Sequence, residues 1–125
     1  MIYTNTTEYK VKFYKDLKNG GSPVLDYING LTNKEAAKVV KYIEFLRANG
    51  GYLDEPYSKH IKGKIRELRV DFGRNQHRIF YFTFIEKTII LLHAFLKRTT
   101  KTPISEIRKA ENNYQNVLDN PKIYA

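Results

Sequence analysis

The segment Lys64-Ile65-Arg66-Glu67-Leu68-Arg69-Val70 sets a carboxylate and a guanidinium two positions apart. Side chains alternate across a strand, so Ile65, Glu67 and Arg69 share one face, and Arg66, Leu68 and Val70 share the other. With Leu68 and Val70 turned to a core, Glu67 and Arg69 project together from the opposite side. Arg78 opens the next extended run; Lys97, Arg98 and Lys101 end the one after it. A strand meander gathers such residues in space although they are far apart along the chain. Cations around one carboxylate suit metal-free cleavage of RNA, in which the ribose 2′-OH attacks the neighbouring phosphate. That reaction needs a base near the 2′-OH, charge stabilisation on the pentacoordinate phosphate, and an acid for the leaving 5′ oxygen. Arginine offers forked donors to phosphate and stays protonated. Glu67 can act as base if its pKa is tuned, a lysine or histidine as acid, and Tyr81 or Phe95 can stack on splayed bases. Against this stands a plainer reading, a surface Glu67–Arg69 ion pair worth ~0–1 kcal/mol.

The histidines divide by context. His60 and His77 lie in polar stretches and are expected to be exposed. His93 lies in an apolar run, where it is either a satisfied structural group or a catalytic one. No His/Asp ligand spacing appears, so no metal is expected. There is no phosphate-binding glycine loop and no nucleophile elbow. The chain has no cysteine, which excludes disulfides and thiolate metal sites.

The elements that position these residues can be read along the chain. Glu8 to Tyr14 alternates and predicts a half-buried strand. Ser22 and Pro23 fit the N-cap and first position of a short helix carrying Val24, Leu25, Ile28 and Leu31. Thr32-Asn33-Lys34-Glu35 forms a capping box opening a second helix, with Ala36, Val39, Val40, Ile43 and Leu46 on one face. Gly50-Gly51 ends it. Tyr52 to His60, broken by Pro56, reads as loop. Lys64–Val70, Arg78–Ile85 and Thr88–Leu96 read as three consecutive strands with short links, an antiparallel meander. From Pro103, the residues Ile104, Ile107, Ala110, Tyr114 and Val117 recur at helical spacing until Asp119-Asn120-Pro121 stops them. The expected fold is a single α+β domain, residues 1–125: a small antiparallel sheet with an N-terminal helical hairpin and a C-terminal helix.

Composition agrees with a globular domain. The chain has 125 residues, 42% hydrophobic and 14% aromatic, with a formal net charge of +9. The charge is concentrated: residues 59–101 hold 11 Lys/Arg against 3 Asp/Glu, a net +8. A basic block interleaved with strands suggests a face that meets a polyanion. No run approaches the ~20 apolar residues of a membrane span. The N-terminus lacks the pattern of a signal peptide, so a cytoplasmic protein without a membrane role is expected.

The stretches KGKIRELRVDFGRNQHRIFYF and IILLHAFLKRTTKTPISEIRKAENN carry a further signal. Together, Glu67-Leu68-Arg69, Arg78-Ile79-Phe80-Tyr81, Leu91-Leu92-His93-x-Phe95-x-Lys97-Arg98 and Lys101-Thr102-Pro103-x-x-Glu106-Ile107 resemble the HigB-type branch of the RelE/ParE toxin superfamily, including its phage-derived members. The resemblance covers about Lys59 to Val117. It implies a RelE-like fold and the toxin of a bacterial type II toxin–antitoxin pair: an mRNA interferase that cuts messenger RNA on the ribosome without metal or other cofactor. It implies a helix-turn-helix, HigA-like antitoxin as partner, in a complex expected to be a heterotetramer. Carried over, it makes Glu67, Arg69, Arg78, Lys97 and Arg98 the catalytic candidates. Lys62, Lys64, Arg66, His93, Phe95 and Lys101 are the candidates for RNA contact. Arg69 and Arg78 match positions that stabilise phosphate, and Lys97 and Arg98 match the basic end of the third strand. Glu67 stands where the RelE branch often has lysine, so it serves either as base or as a brace for Arg69; Lys101 and Tyr114 are the nearest substitutes for that branch's C-terminal catalytic group. Two alternatives stay open: a ParE-like gyrase poison on the same fold, and a nonenzymatic nucleic-acid-binding module.

Overall fold

The computed structural model describes residues 9–125. In chain order the elements are β1 (Lys10–Phe13), α1 (Pro23–Asn29), α2 (Asn33–Ala48), β2 (Ser58–Lys62), β3 (Ile65–Phe72), β4 (Asn75–Phe84), β5 (Thr88–Lys97) and α3 (Ile104–Asp119). A short 3₁₀ turn, Pro121–Ile123, follows. The strands form one five-stranded sheet in the order β1-β5-β4-β3-β2.

The meander β2 to β5 is antiparallel, as its short links require. The sheet as a whole is mixed, which corrects the expectation of a purely antiparallel one. β1 returns through the helix pair and lies parallel to β5, with Lys10 opposite Thr88 and Phe13 opposite Leu91. A second correction concerns β2, which lies in and beyond the stretch read as loop. It is an edge strand whose Lys59, His60 and Lys62 are exposed, the charged, polar form that protects a sheet edge from further pairing. The start of the first predicted strand, Glu8, lies outside the described residues.

Both faces of the sheet are covered, so both strand parities are apolar. On one face α1 and α2 set Val24, Ile28, Val39, Ile43 and Leu46 against Leu68, Val70, Ile79, Tyr81, Ile89 and Leu91. On the other, α3 sets Ala110 and Val117 against Ile65, Phe80, Phe82, Ile90 and Leu92. Each fully buried aliphatic side chain contributes about 1.5–3 kcal/mol of apolar burial, enough for these two clusters to hold α1–α2 and α3 in place.

Local signals explain the element ends. Thr32 caps α2 by accepting the Glu35 amide proton at 3.2 Å. Ser22 does not cap α1: its side chain makes no hydrogen bond there, and Pro23 at the first turn starts the helix instead. Gly51 closes α2 with φ 84°, and a Cβ there would stand 2.5 Å from Thr83 Oγ1, so only glycine fits. Glu86 and Lys87 turn β4 into β5 with φ of 56° and 57°, the left-handed pair of a tight hairpin turn.

Candidate active site on the α3 face of the sheet

α3 covers only part of its face. Towards the β3–β4 hairpin and the end of β5 the same face carries Glu67, Arg69, Asp71, Gln76, Arg78 and Lys97. Register brings them together: Arg69 lies directly opposite Arg78, Asp71 opposite Gln76, and Gln76 opposite Lys97. The strand spacing of about 4.8 Å places the two arginines side by side.

Glu67 is 1% exposed and Arg78 3%. The surface ion pair of the plainer reading is therefore corrected: parity assigned Glu67 to the right face but could not show that this face is covered. Arg69 Nε stands 3.6 Å and Arg78 Nε 4.0 Å from Glu67 Oε1. Neither Nε has a hydrogen-bond partner among the described residues. Arg78 is fixed at its other end: Nη1 donates to Asp71 Oδ1 at 2.8 Å and to the His77 carbonyl at 3.0 Å, and Nη2 donates to Gln76 Oε1 at 3.3 Å. Thr102 donates its hydroxyl to Glu67 Oε2 at 3.2 Å, tying the loop before α3 to the buried carboxylate.

Lys97 is half-buried beside this group. Burial, followed by the positive charge of Arg78, lowers its pKa from the ordinary lysine value; Glu67 opposes that shift and Arg69 and Lys59 add to it. Next to Lys97, an open cleft of about 530 Å³ lies between the β3–β4 hairpin tip and the end of β5, lined by Arg74, Asn75, Gln76, Lys97, Arg98 and Thr99.

The structure thus brings together Glu67, Arg69, Arg78 and Lys97, and sets Arg98 in the adjoining cleft. It does not bring in the other expected contacts. Lys62 pairs with Glu111 on α3 at 2.8 Å. Lys64 lines a separate surface hollow with Phe84 and Tyr114. Arg66 faces the α2 side, where its Nε donates to Ser58 Oγ at 3.2 Å and its guanidinium lies 4.8 Å from the Tyr52 ring centre. Lys101 is exposed on the loop before α3. Tyr114 packs edge-on against Phe82, with ring centres 4.6 Å apart. The stacking expectation is also corrected. Phe95 is 7% exposed and Tyr81 is fully buried with its hydroxyl 2.8 Å from Ser58 Oγ, so neither ring is offered to a base. His93 packs beside the Phe80 and Phe95 rings and bonds Glu106 of α3 at 2.5 Å.

Sequence reasoning missed a second polar group, on the opposite face. His77, expected to be exposed, is 1% exposed. Its Nδ1 is 2.6 Å from the Tyr27 hydroxyl and its Nε2 is 2.8 Å from Glu35 Oε2. Asn75 donates to the same Glu35 oxygen at 2.8 Å. The hydrogen bonds from Asn75 and then His77 hold the Glu35 carboxyl below its ordinary pKa, while burial, followed by the charge of Glu35, pushes the Tyr27 hydroxyl up to about 12. Glu35 was legible only as a capping residue. Parity held the remaining signal, because His77 alternates with the buried Ile79 and Tyr81.

A mixed sheet with two helices on one face, one on the other, and paired arginines around a buried glutamate defines the class: a small α+β domain with a cationic site on the sheet. The family model of phage-derived Gp49-like proteins (DUF891) matches residues 26–115, and the chain belongs to that family. It is a RelE/HigB-like toxin family, compatible with toxin–antitoxin function, whose members generally pair with an antitoxin. No curated protein matches the chain. No helix among the described residues is long and apolar enough to cross a membrane.

Proposed function

We propose that this chain is a HigB-like toxin of a type II toxin–antitoxin pair that cleaves messenger RNA on the ribosome in the cytoplasm. The observation that carries the reading is the facing pair Arg69–Arg78, braced by one buried carboxylate and flanked by Lys97. Arg69, with about 24% of its side chain exposed, can bind a phosphate oxygen, and the buried Arg78 beside it adds its charge against the one that grows as the 2′-OH attacks. They are held before substrate arrives, so little reorganisation is needed.

The burial of Glu67 supports the bracing role over the base role. A carboxylate enclosed by two arginines and Thr102 orients them, and has no open path to a ribose hydroxyl. Lys97 suits proton transfer better. Its lowered pKa raises the share of neutral amine, the form that can take the 2′-OH proton. The antitoxin in this reading is a helix-turn-helix, HigA-like protein in a heterotetramer with the toxin, and its acidic surface meets the +8 block.

The test is induction in a bacterium, wild type beside Arg69→Ala and Arg78→Ala, with primer extension on a reporter message. Growth arrest with new message ends in wild type, lost in both variants while circular dichroism shows a retained fold, is the expected result. Removal of one such donor typically costs ~10²–10³ in rate. Arrest with intact message and DNA damage points to gyrase instead, and no arrest points to a binding module.

A further inference from the structure

The cations at this end of the sheet fall into two groups that differ in compensation. Arg69 and Arg78 face Glu67, and Arg78 also bonds Asp71. Arg74 and Arg98, across Gln76 and Lys97, have no carboxylate within ion-pair distance among the described residues. They line the open cleft together with the Asn75 and Gln76 amides and the Thr99 hydroxyl. Guanidinium groups without an ion pair among the described residues, lining one cleft with neutral donors, form a site for an anion.

The cleft is joined to the arginine pair by shared walls. Gln76 accepts from Arg78 Nη2 at 3.3 Å and also lines the cleft, and Lys97 stands opposite Gln76 in register. Gln76 and Arg78 are one pleat repeat apart on the same face, about 7 Å. That is the scale of one step along an extended nucleic-acid backbone. One cleft wall is also fixed from behind: Asn75 donates to Glu35, which His77 and Thr32 hold in turn. A wall anchored in this way can locate a phosphate rather than only attract one.

We infer that this cleft is a second phosphate site, which holds the phosphodiester next to the scissile one, so that the substrate is an extended single strand engaged at two successive phosphates. The inference rests on the ribonuclease reading above and divides its cations by task. Arg69 and Arg78 act on the reacting phosphate, while Arg74 and Arg98 hold the neighbour and set the register of the strand.

The first test does not depend on cleavage. Inorganic phosphate is titrated into the full chain and followed by NMR at the arginine Nε–H groups and the Thr99 and Thr100 amides. Saturable shifts at Arg74, Arg98 and Thr99, lost in an Arg74→Ala/Arg98→Ala double variant that keeps its fold, are expected. Shifts confined to Arg69 and Arg78, or no saturable shift, overturn the inference. The second test uses ribosomes programmed with messages in which the phosphate on either side of the cut is singly replaced by an uncharged methylphosphonate. For the wild type, one of the two replacements should lower kcat/KM about tenfold, the scale of one lost charge-assisted contact. The double variant should start lower and be indifferent to the same replacement. Equal sensitivity in both proteins overturns the cleft while leaving the ribonuclease reading intact. No cleavage of any message overturns the ribonuclease reading and the assignment of the cleft to RNA with it, whatever the phosphate titration shows.

Discussion

The two faces of the sheet each bury a polar cluster, and the clusters are built in opposite ways. Under α1 and α2, Tyr27, His77, Glu35 and Asn75 satisfy one another through a chain of short hydrogen bonds. Under α3, Arg69 and Arg78 leave both Nε groups without a hydrogen-bond partner among the described residues. A buried polar group without a partner costs about 1–3 kcal/mol, so the second arrangement is the expensive one. The closed cluster joins helices to hairpin. The incomplete one seats both buried Nε groups against Glu67 at ion-pair distance, short of a hydrogen bond, while Arg69 keeps about 24% of its side chain exposed. Satisfaction, rather than burial or charge, separates the cluster under α1 and α2 from the one proposed to act on RNA.

The sharpest way to break this contrast is to neutralise the brace. Glu67→Gln leaves two guanidinium groups facing one another without the charge between them, and cleavage should fall on the order of tenfold to a hundredfold as the pair moves apart. The same change also removes the Glu67 charge, which raises the Lys97 pKa. Lys97 must be neutral to act as base, so the acid limb of the pH–rate profile should move to lower pH. An unmoved limb would remove Lys97 from the proton-transfer role.

A smaller effect is expected on the satisfied side. Glu35 has its pKa lowered from an ordinary value of 4.5. Its contribution to stability is therefore present above that value, and is lost as pH falls through the lower folded one. Melting temperature in wild type should drop across that acid range, and Glu35→Gln should flatten the drop. RNA cleavage at neutral pH should change far less than in Glu67→Gln. An equal loss of activity would erase the distinction between the two clusters.

The smallest effect belongs to cations outside both clusters. Lys62→Ala breaks an exposed pair with Glu111, worth under about 1 kcal/mol. Together with Lys64→Ala it should leave cleavage within about twofold, since neither residue lies at the arginine pair. A large loss would extend the RNA path along the β2–β3 edge.

Much of this was legible in the sequence. Alternation in Lys64–Val70 assigned Glu67 and Arg69 to one face and Arg66 to the other, and the helices follow from their caps and apolar stripes. Three things were hidden, each for a physical reason. Parity reports which face a side chain takes, not what covers it, so the burial of Glu67 and Phe95 needed α3 and its loop in place. The parallel pairing of β1 with β5 joins segments far apart in sequence, which local patterns do not encode. β2 looked like a loop because an edge strand must be polar, and its Lys59, His60 and Lys62 give no apolar alternation to read. His77 was misplaced for a related reason: its polar neighbours Gln76 and Asn75 belong to the hairpin tip, while its own side chain turns under α1.

The Arg69–Arg78 pair is proposed to stabilise 2′-OH attack on a message phosphate. The most direct measurement is the chemistry of the new message ends after induction. Transesterification leaves a 2′,3′-cyclic phosphate upstream and a 5′-hydroxyl downstream. Those ends are expected in wild type and should be absent in folded Arg69→Ala. Ends carrying 5′-phosphate, or cyclic-phosphate ends that persist in the variant, would contradict it.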